Sequence, residues 1–187
     1  MTTMQMDAGL DTGDMLLKTE VVLDEKETGG SLHDKLAEAG ARLCVETLKG
    51  LEAHAITPEK QGESPTEYAR MLDKSLGKID WTRPAEEIER LIRGLNPWPS
   101  AYTDWTGKTM KIWEAQVISQ EEAKAAQQEA AKPGTVVKVE KDGFLVQTGK
   151  DLLKVCALQI PGKKRMDAGA FLRGYTMEAG VELGSEG

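Results

Sequence analysis

Hydrophobic and polar positions change their spacing several times along this chain, and each change marks an element. Thr2-Thr3-Met4-Gln5-Met6 alternates polar and apolar residues, which predicts a half-buried strand, and Leu16 to Leu23 predicts a second. Between them, residues 7–14 hold Asp7, Asp11 and Asp14 with Gly9 and Gly13, a composition for tight turns and exposed backbone N–H groups. From Ser31 the spacing becomes helical. Leu32, Leu36, Ala39 and Leu43 share one face, Ser31 stands where an N-cap belongs, Asp34 lies in the first turn, and the pattern runs to about Ala53. Strand, loop, strand and long helix make an α/β segment.

Pro58, Gly62 and Pro65 among polar neighbours read as a connector, followed by a short helix over 67–74. A second helix is predicted where Ile88, Leu91, Ile92 and Leu95 recur at i, i+3, i+4 and i+7. Thr82 is its expected cap, Pro84 fits its first turn, and Arg90 and Arg93 are expected to face away from the stripe. Asn96-Pro97-Trp98-Pro99 stops it. Residues 101–118 predict a hairpin turning at Thr106-Gly107-Lys108, and 121–131 an exposed Ala/Gln/Glu-rich insertion. Strands are expected over 135–140, 144–148 and 152–160, then a basic loop after Pro161-Gly162 and a short helix grouping Ala168, Phe171, Leu172 and Tyr175. About five short strands with helical covers fit a small barrel such as an OB-fold, and also other small β folds.

Composition places this α/β plus β pattern among globular proteins. Of 187 residues, 40% are hydrophobic and 29% charged, with no apolar run long enough to span a bilayer, which excludes disorder, collagen and membrane spans. The first residues lack the basic and apolar regions of a signal peptide, so a cytoplasmic location is expected. Cys44 and Cys156, each among apolar neighbours and without Cys-x-x-Cys spacing, read as buried reduced thiols. His33 and His54 are too few and too isolated for a zinc site, and no metal is expected.

The net charge of −7 is unevenly spread. Residues 1–60 carry 12 acids and 6 bases, whereas 132–175 carry 9 bases and 4 acids, so a basic subregion able to attract polyanions lies within an acidic chain. All nine aromatic residues fall between Tyr68 and Tyr175. For Asp7, Asp11 and Asp14 a solvated turn stands beside a sharper reading, a carboxylate at a strand end that orients a catalytic group while loop N–H groups hold a ligand. For Lys163-Lys164-Arg165 a solubilising loop stands beside a phosphate-contacting one. Trp81, Trp98, Trp105 and Trp113 read as barrel core in preference to base-stacking surface, and Met4, Met6 and Met15 as core filler.

Several strings then carry a resemblance. Met-Gln-Met-Asp-Ala-Gly-Leu-Asp-Thr-Gly-Asp-Met-Leu (4–16) resembles a loop segment of the methionyl-tRNA formyltransferases. Their second half is matched in order by Lys78-Ile79-Asp80-Trp81, Ile92-Arg93-Gly94-Leu95-Asn96-Pro97-Trp98-Pro99, Lys111-Ile112-Trp113-Glu114-Ala115, Pro133-Gly134-Thr135 and Leu158-Gln159-Ile160-Pro161-Gly162-Lys163-Lys164. The resemblance covers essentially the whole chain. It implies that residues 1–55 are the end of a Rossmann-like formyltransferase domain, 56–76 a linker, and 77–187 an OB-like β-barrel domain that helps to hold tRNA.

The family passes a formyl group from 10-formyltetrahydrofolate, a co-substrate, to the amino group of methionyl initiator tRNA. The chemistry stabilises a charged tetrahedral intermediate and shuttles protons with Asn, His and Asp together. By motif position the resemblance implies that the Asp is Asp11 and that Asp7, Ala8, Gly9, Leu10 and Asp11 line the folate site. Arg93, Lys163, Lys164 and Arg165, with Lys78 and Lys111, are the expected tRNA contacts. The family's catalytic Asn and His have no counterpart in this sequence, so the chain is expected to be a C-terminal part, inactive alone, from a monomeric parent. A non-catalytic tRNA-binding module and a formyltransferase acting on another amine are the alternatives. The first segment, taken from a parallel sheet buried on both faces, is expected to leave the Leu32–Leu43 helix face and the Thr2–Met6 strand edge partly uncovered and to invite aggregation or self-association; the region from 77 onward is expected to fold independently.

Overall fold

In the computed structural model, residues 1–63, 66–119 and 131–184 are described, and the chain divides into two compact units, Met1–Met71 and Leu72–Gly187. Residues 121–130 of the predicted insertion lie outside the described residues.

In the first unit β1 (Thr2–Met4) and β2 (Met15–Lys18) pair antiparallel, Thr2 opposite Lys18 and Met4 opposite Met15. This differs from the parallel arrangement expected: a ten-residue connection without a crossover helix joins these strands as a hairpin. Helix α1 (Gly29–Glu52) starts earlier than its apolar pattern suggests. Thr28 is the N-cap and Ser31 its capping-box partner: Ser31 N donates to Thr28 Oγ1 (3.1 Å) and Thr28 N to Ser31 Oγ (2.9 Å). The α1 face bearing Leu43 and Thr47 meets the hairpin, where Thr3 Oγ1 and Thr47 Oγ1 lie 2.8 Å apart. The Leu32–Leu43 face is covered in part, with Leu43 buried and Leu32, Leu36 and Ala39 half-buried, while a further stripe leaves Cys44, Val45, Leu48 and Leu51 exposed. Cys44 is not buried, because it sits beyond the stripe that packs. Met6 is exposed rather than core, and residues 66–73 are not helical; a 3-10 turn forms instead at Lys74–Gly77, at the start of the second unit, capped by Asp73 (2.7 Å).

In the second unit α2 (Ala85–Gly94) buries Ala85, Ile88 and Ile92. Pro84, not Thr82, holds the N-cap position, since the Thr82 hydroxyl is spent on Asp80 (2.6 Å). The hairpin β3 (Ala101–Trp105) and β4 (Lys108–Ile118) turns where the sequence predicts. It joins β5 (Val136–Val139), β6 (Phe144–Gln147) and β7 (Leu152–Gln159) in the antiparallel order β3-β4-β7-β6-β5, with β8 (Met166–Asp167) on β7. Helix α3 (Ala168–Leu172) sets Phe171 against Trp105, ring centroids 5.0 Å apart. Ile112, Val136, Phe144, Leu153, Val155 and Leu158 fill the core.

Among the described residues no strand pair closes this sheet into a barrel. The edge strands β3 and β5 are both met by the C-terminal tail. Val136 N donates to Val181 O and Leu183 N to Gly134 O, each at 2.8 Å, and Gly184 N donates to Asp104 O at 2.8 Å. Gly134 (φ +90°) leaves room for this approach, as a Cβ there would lie 2.7 Å from Leu183 O.

Candidate functional site

The loop between β1 and β2 is held at its neck. Gln5 N donates to Asp14 O (2.9 Å), and Gly13 passes so close to Gln5 that a Cβ would overlap its carbonyl oxygen. Gln61 Nε2 donates to Asp11 O (2.8 Å) and Gly13 O (2.6 Å), so the supposed connector fastens the loop. Asp7, Ala8, Gly9, Leu10 and Asp11 are all exposed, and Asp11 adopts φ +53°. Asp7 Oδ1 accepts from Ala8 N (2.7 Å). Among the described residues the Asp11 carboxylate has no hydrogen-bond or ion-pair partner; His33 pairs instead with Asp34 (3.3 Å), and His54 is on no such bond to Asp11. The arrangement offers a fixed backbone wall and a free carboxylate. No cluster of three or more His, Cys, Asp or Glu placed to hold a metal occurs among the described residues, and no described helix is long and apolar enough to cross a membrane.

The basic candidates separate into groups. Lys78 bridges Tyr102 on β3, Tyr102 pairs with Lys111 on β4, and Lys111 pairs with Gln159 on β7, making one row across the sheet. Side chains paired in register share a face, so Tyr102, Lys111 and Gln159 project together from the side opposite the core. Trp113, two residues beyond Lys111, joins them. Lys111 Nζ and Arg165 Cζ each lie 5.7 Å from its ring centroid, within cation–π range, and Trp113 Nε1 donates to Gln159 Oε1 (3.2 Å). Gln159 Nε2 in turn donates to Lys163 O (2.7 Å), tying the basic loop to this row. Lys163 and Lys164 are exposed, after a turn in which Gly162 has φ +75°. Arg165 also lies 3.8 Å from Glu114, an exposed pair worth little in water.

Arg93 stands apart. It lies on the flank of α2, its side chain only 27% exposed, and its Nε donates to Glu89 Oε1 (2.5 Å). Arg90, not Arg93, is the arginine opposite the apolar stripe. Other bases in the subregion are neutralised by neighbours: Lys132 pairs with Glu182 (3.1 Å), and Lys154 with Asp142 and Glu140 (3.0 Å each). Hydrogen bonding to Asp142, with Glu140 beside it, raises the Lys154 ammonium above its ordinary pKa, while burial first and the Glu114 charge second raise the Cys156 thiol. The four tryptophans divide equally. Trp81 and Trp105 are core, whereas Trp98 is 56% exposed and Trp113 half-buried on the outer face. The alternation Met110-Lys111-Ile112-Trp113 contained the signal for Trp113, because Met110 and Ile112 point inward.

The fold and these strings together define a member of a known class: the chain belongs to the formyl transferase family, residues 71–176 matching the formyl transferase C-terminal domain. Within that family it is similar over nearly its whole length to proteins named methionyl-tRNA formyltransferase. It is 56% identical over 183 residues to that of Lachnospira eligens, covering 98% of this chain and 58% of the relative. To that of Clostridium perfringens SM101 it is 48% identical over 182 residues, covering 97% and 57%. The chain thus spans just over half the length of these relatives. Among solved structures, HypX from Aquifex aeolicus in complex with tetrahydrofolic acid matches with TM-score 0.60 and 17% identity, over 92% of this chain and 29% of that one. WlaRD, a sugar 3N-formyl transferase, matches with TM-score 0.59 and 14% identity, over 87% and 55%. These two show the shared fold.

Proposed function

We propose that this chain serves methionyl-tRNA formyl transfer in the cytosol, from 10-formyltetrahydrofolate to the amino group of methionyl initiator tRNA. The 56% identity to a protein of that name over 98% of the chain carries the reading. Residues 1–55 act as the end of a Rossmann-like formyltransferase domain and 56–76 as its linker. Residues 77–187 act as an OB-like tRNA-holding domain in which the tail stands where a barrel strand would close. The exposed loop with its free carboxylate fits one wall of a folate site: Asp7 to Leu10 line it, and Asp11 orients and charge-balances an imidazole supplied from outside this sequence. Lys78, Lys111, Lys163, Lys164 and Arg165 contact tRNA phosphates, and Arg93 joins them only by leaving Glu89.

Placed in a chain that carries the relatives' N-terminal half before Met1, Asp11→Asn should lower turnover by about 10²–10⁴-fold with little change in tRNA affinity. Near-normal turnover removes the assignment.

The unpartnered Asp11 favours a second reading of the 187-residue chain alone, as a module that binds tRNA without transferring formyl groups. Filter binding at several salt concentrations checks it. Affinity should fall as salt rises, and Lys163→Ala with Lys164→Ala should reduce the slope by about 2. Formyl transfer by the chain alone sinks this second reading, and so does salt-independent binding.

A further inference from the structure

We propose that Trp113 is a stacking platform for an unpaired base of the bound RNA, with Lys111 and Arg165 holding the adjoining phosphates; this rests on the tRNA reading above and specifies how the outer sheet face would grip its ligand. The local backbone makes the platform. On β4, Ile112 pairs with Leu158 and Glu114 with Ala157, so Trp113 is the extra residue of a β-bulge. The next step, Glu114 opposite Ala157 and Ala115 opposite Val155, leaves Cys156 extra on β7 and restores the count. Inward positions accordingly switch from Met110 and Ile112 to Ala115 and Val117, and two successive side chains, Trp113 and Glu114, are left on the outer face.

A large indole left on a sheet's outer side needs an account. The core does not supply one, since its aromatic packing uses Trp105, Phe171 and Tyr175 on the other face. The indole N–H is fixed by Gln159 (3.2 Å), which locks the ring plane, and Gln159 is itself held by Lys163 O. Asn96 Nδ2 donates to Trp113 O (3.4 Å), bracing the bulge from the Asn96–Pro99 loop. Lys111 and Arg165 each lie over the ring at 5.7 Å, and a base stacks there when the exposed Arg165 side chain swings off the ring onto a flanking phosphate; the indole, its N–H satisfied and its orientation set, then offers a π-face for any base beside positive charge for the backbone. Glu114 does not spoil the site, because its 3.8 Å exposed pair with Arg165 yields readily to a phosphate.

The test is filter binding of the full chain to an initiator tRNA transcript across a salt series, with thermal melting of each variant. Trp113→Ala should weaken binding about 5- to 150-fold without changing the salt slope, because stacking releases no counterions. Trp113→Phe should retain most of the affinity. Arg165→Ala and Lys111→Ala should each lower the slope by about 1. Trp113→Ala within twofold of the parent overturns the platform and leaves the tRNA reading standing; Phe as weak as Ala, with both folded, does the same. No salt-dependent binding by the parent chain overturns both. If Trp113→Ala does not fold, indole fluorescence decides: quenching by saturating tRNA that is lost in Trp113→Phe supports the platform, and equal quenching in both overturns it.

Discussion

The two units differ most in how they are held together. Among the described residues, Leu43 is the single fully buried apolar side chain of Met1–Met71, whereas the other 25 lie in Leu72–Gly187. The first unit relies on polar devices: the Thr28–Ser31 capping box, the Thr3–Thr47 pair, Gln61 across the loop, and Lys35 bridging Asp24 (2.6 Å) and Glu27 (2.5 Å). Hydrogen bonds and exposed ion pairs each contribute little net stability, while buried aliphatic and aromatic area contributes much. A unit built the first way opens locally; a unit built the second way unfolds as a whole. The division also follows chemistry, because the exposed Asp11 loop sits on the loosely held part and the Trp113 face on the tightly packed one.

The largest effect should come from the core of the second unit. Phe144 is fully buried, and Phe144→Ala should cost about 3–5 kcal/mol, read as a lower urea midpoint by tryptophan fluorescence, which reports this unit because all four tryptophans lie in it. A loss below about 1 kcal/mol would contradict the packed core. A smaller, local effect is expected at the half-buried Thr3–Thr47 hydroxyl pair. Thr47→Val should cost about 1 kcal/mol and speed amide exchange in 2–18 and 29–52, leaving 85–118 and 136–159 protected. Equal protection of both units in the unaltered protein would break the contrast itself.

The smallest effect is pH-dependent. Hydrogen bonds from Lys35 first, then Ser31, lower the Glu27 carboxyl from its ordinary 4.5 to about 2. A depressed carboxyl contributes stability above its unfolded pKa and loses it as pH falls through the folded one, so the clamp at the start of α1 should weaken between about pH 5 and 2. Helicity of α1 in this range should fall less steeply in Glu27→Gln, measured by backbone-resolved NMR. An identical acid profile would show that the clamp does not bear on α1.

Much of the second unit was legible beforehand. Alternation and Gly-containing turns located β3 to β7 within a residue or two, and the 3.6-residue spacing located α2, because each of these elements buries one face against the same core and its pattern records that burial. Legibility failed where partners are distant. The exposure of Cys44 and the extent to which the α1 face is covered depend on where a hairpin lies, which α1's own sequence does not encode; the Thr28 cap is local, its partner Ser31 lying three residues on, but the apolar spacing alone begins the helix at Ser31. The candidate site was read unevenly for the same reason. Lys163, Lys164 and Arg165 stood out as a run, but Arg93 looked free on helical spacing alone, and Trp113 looked like core on composition alone.

By itself the sequence determined the order of elements, the acidic and basic division, the Asp11 loop and the membership strings, all properties of residues close together along the chain. Tertiary structure alone decided that the sheet stays open with a tail against both edges, that Lys78, Tyr102, Lys111 and Gln159 form one row, and that Arg165 arrives over Trp113. The physical reason is register. Which residues stand side by side across a sheet is set by turns, bulges and edge partners far apart in the chain, and a shift of one residue turns every side chain to the other face.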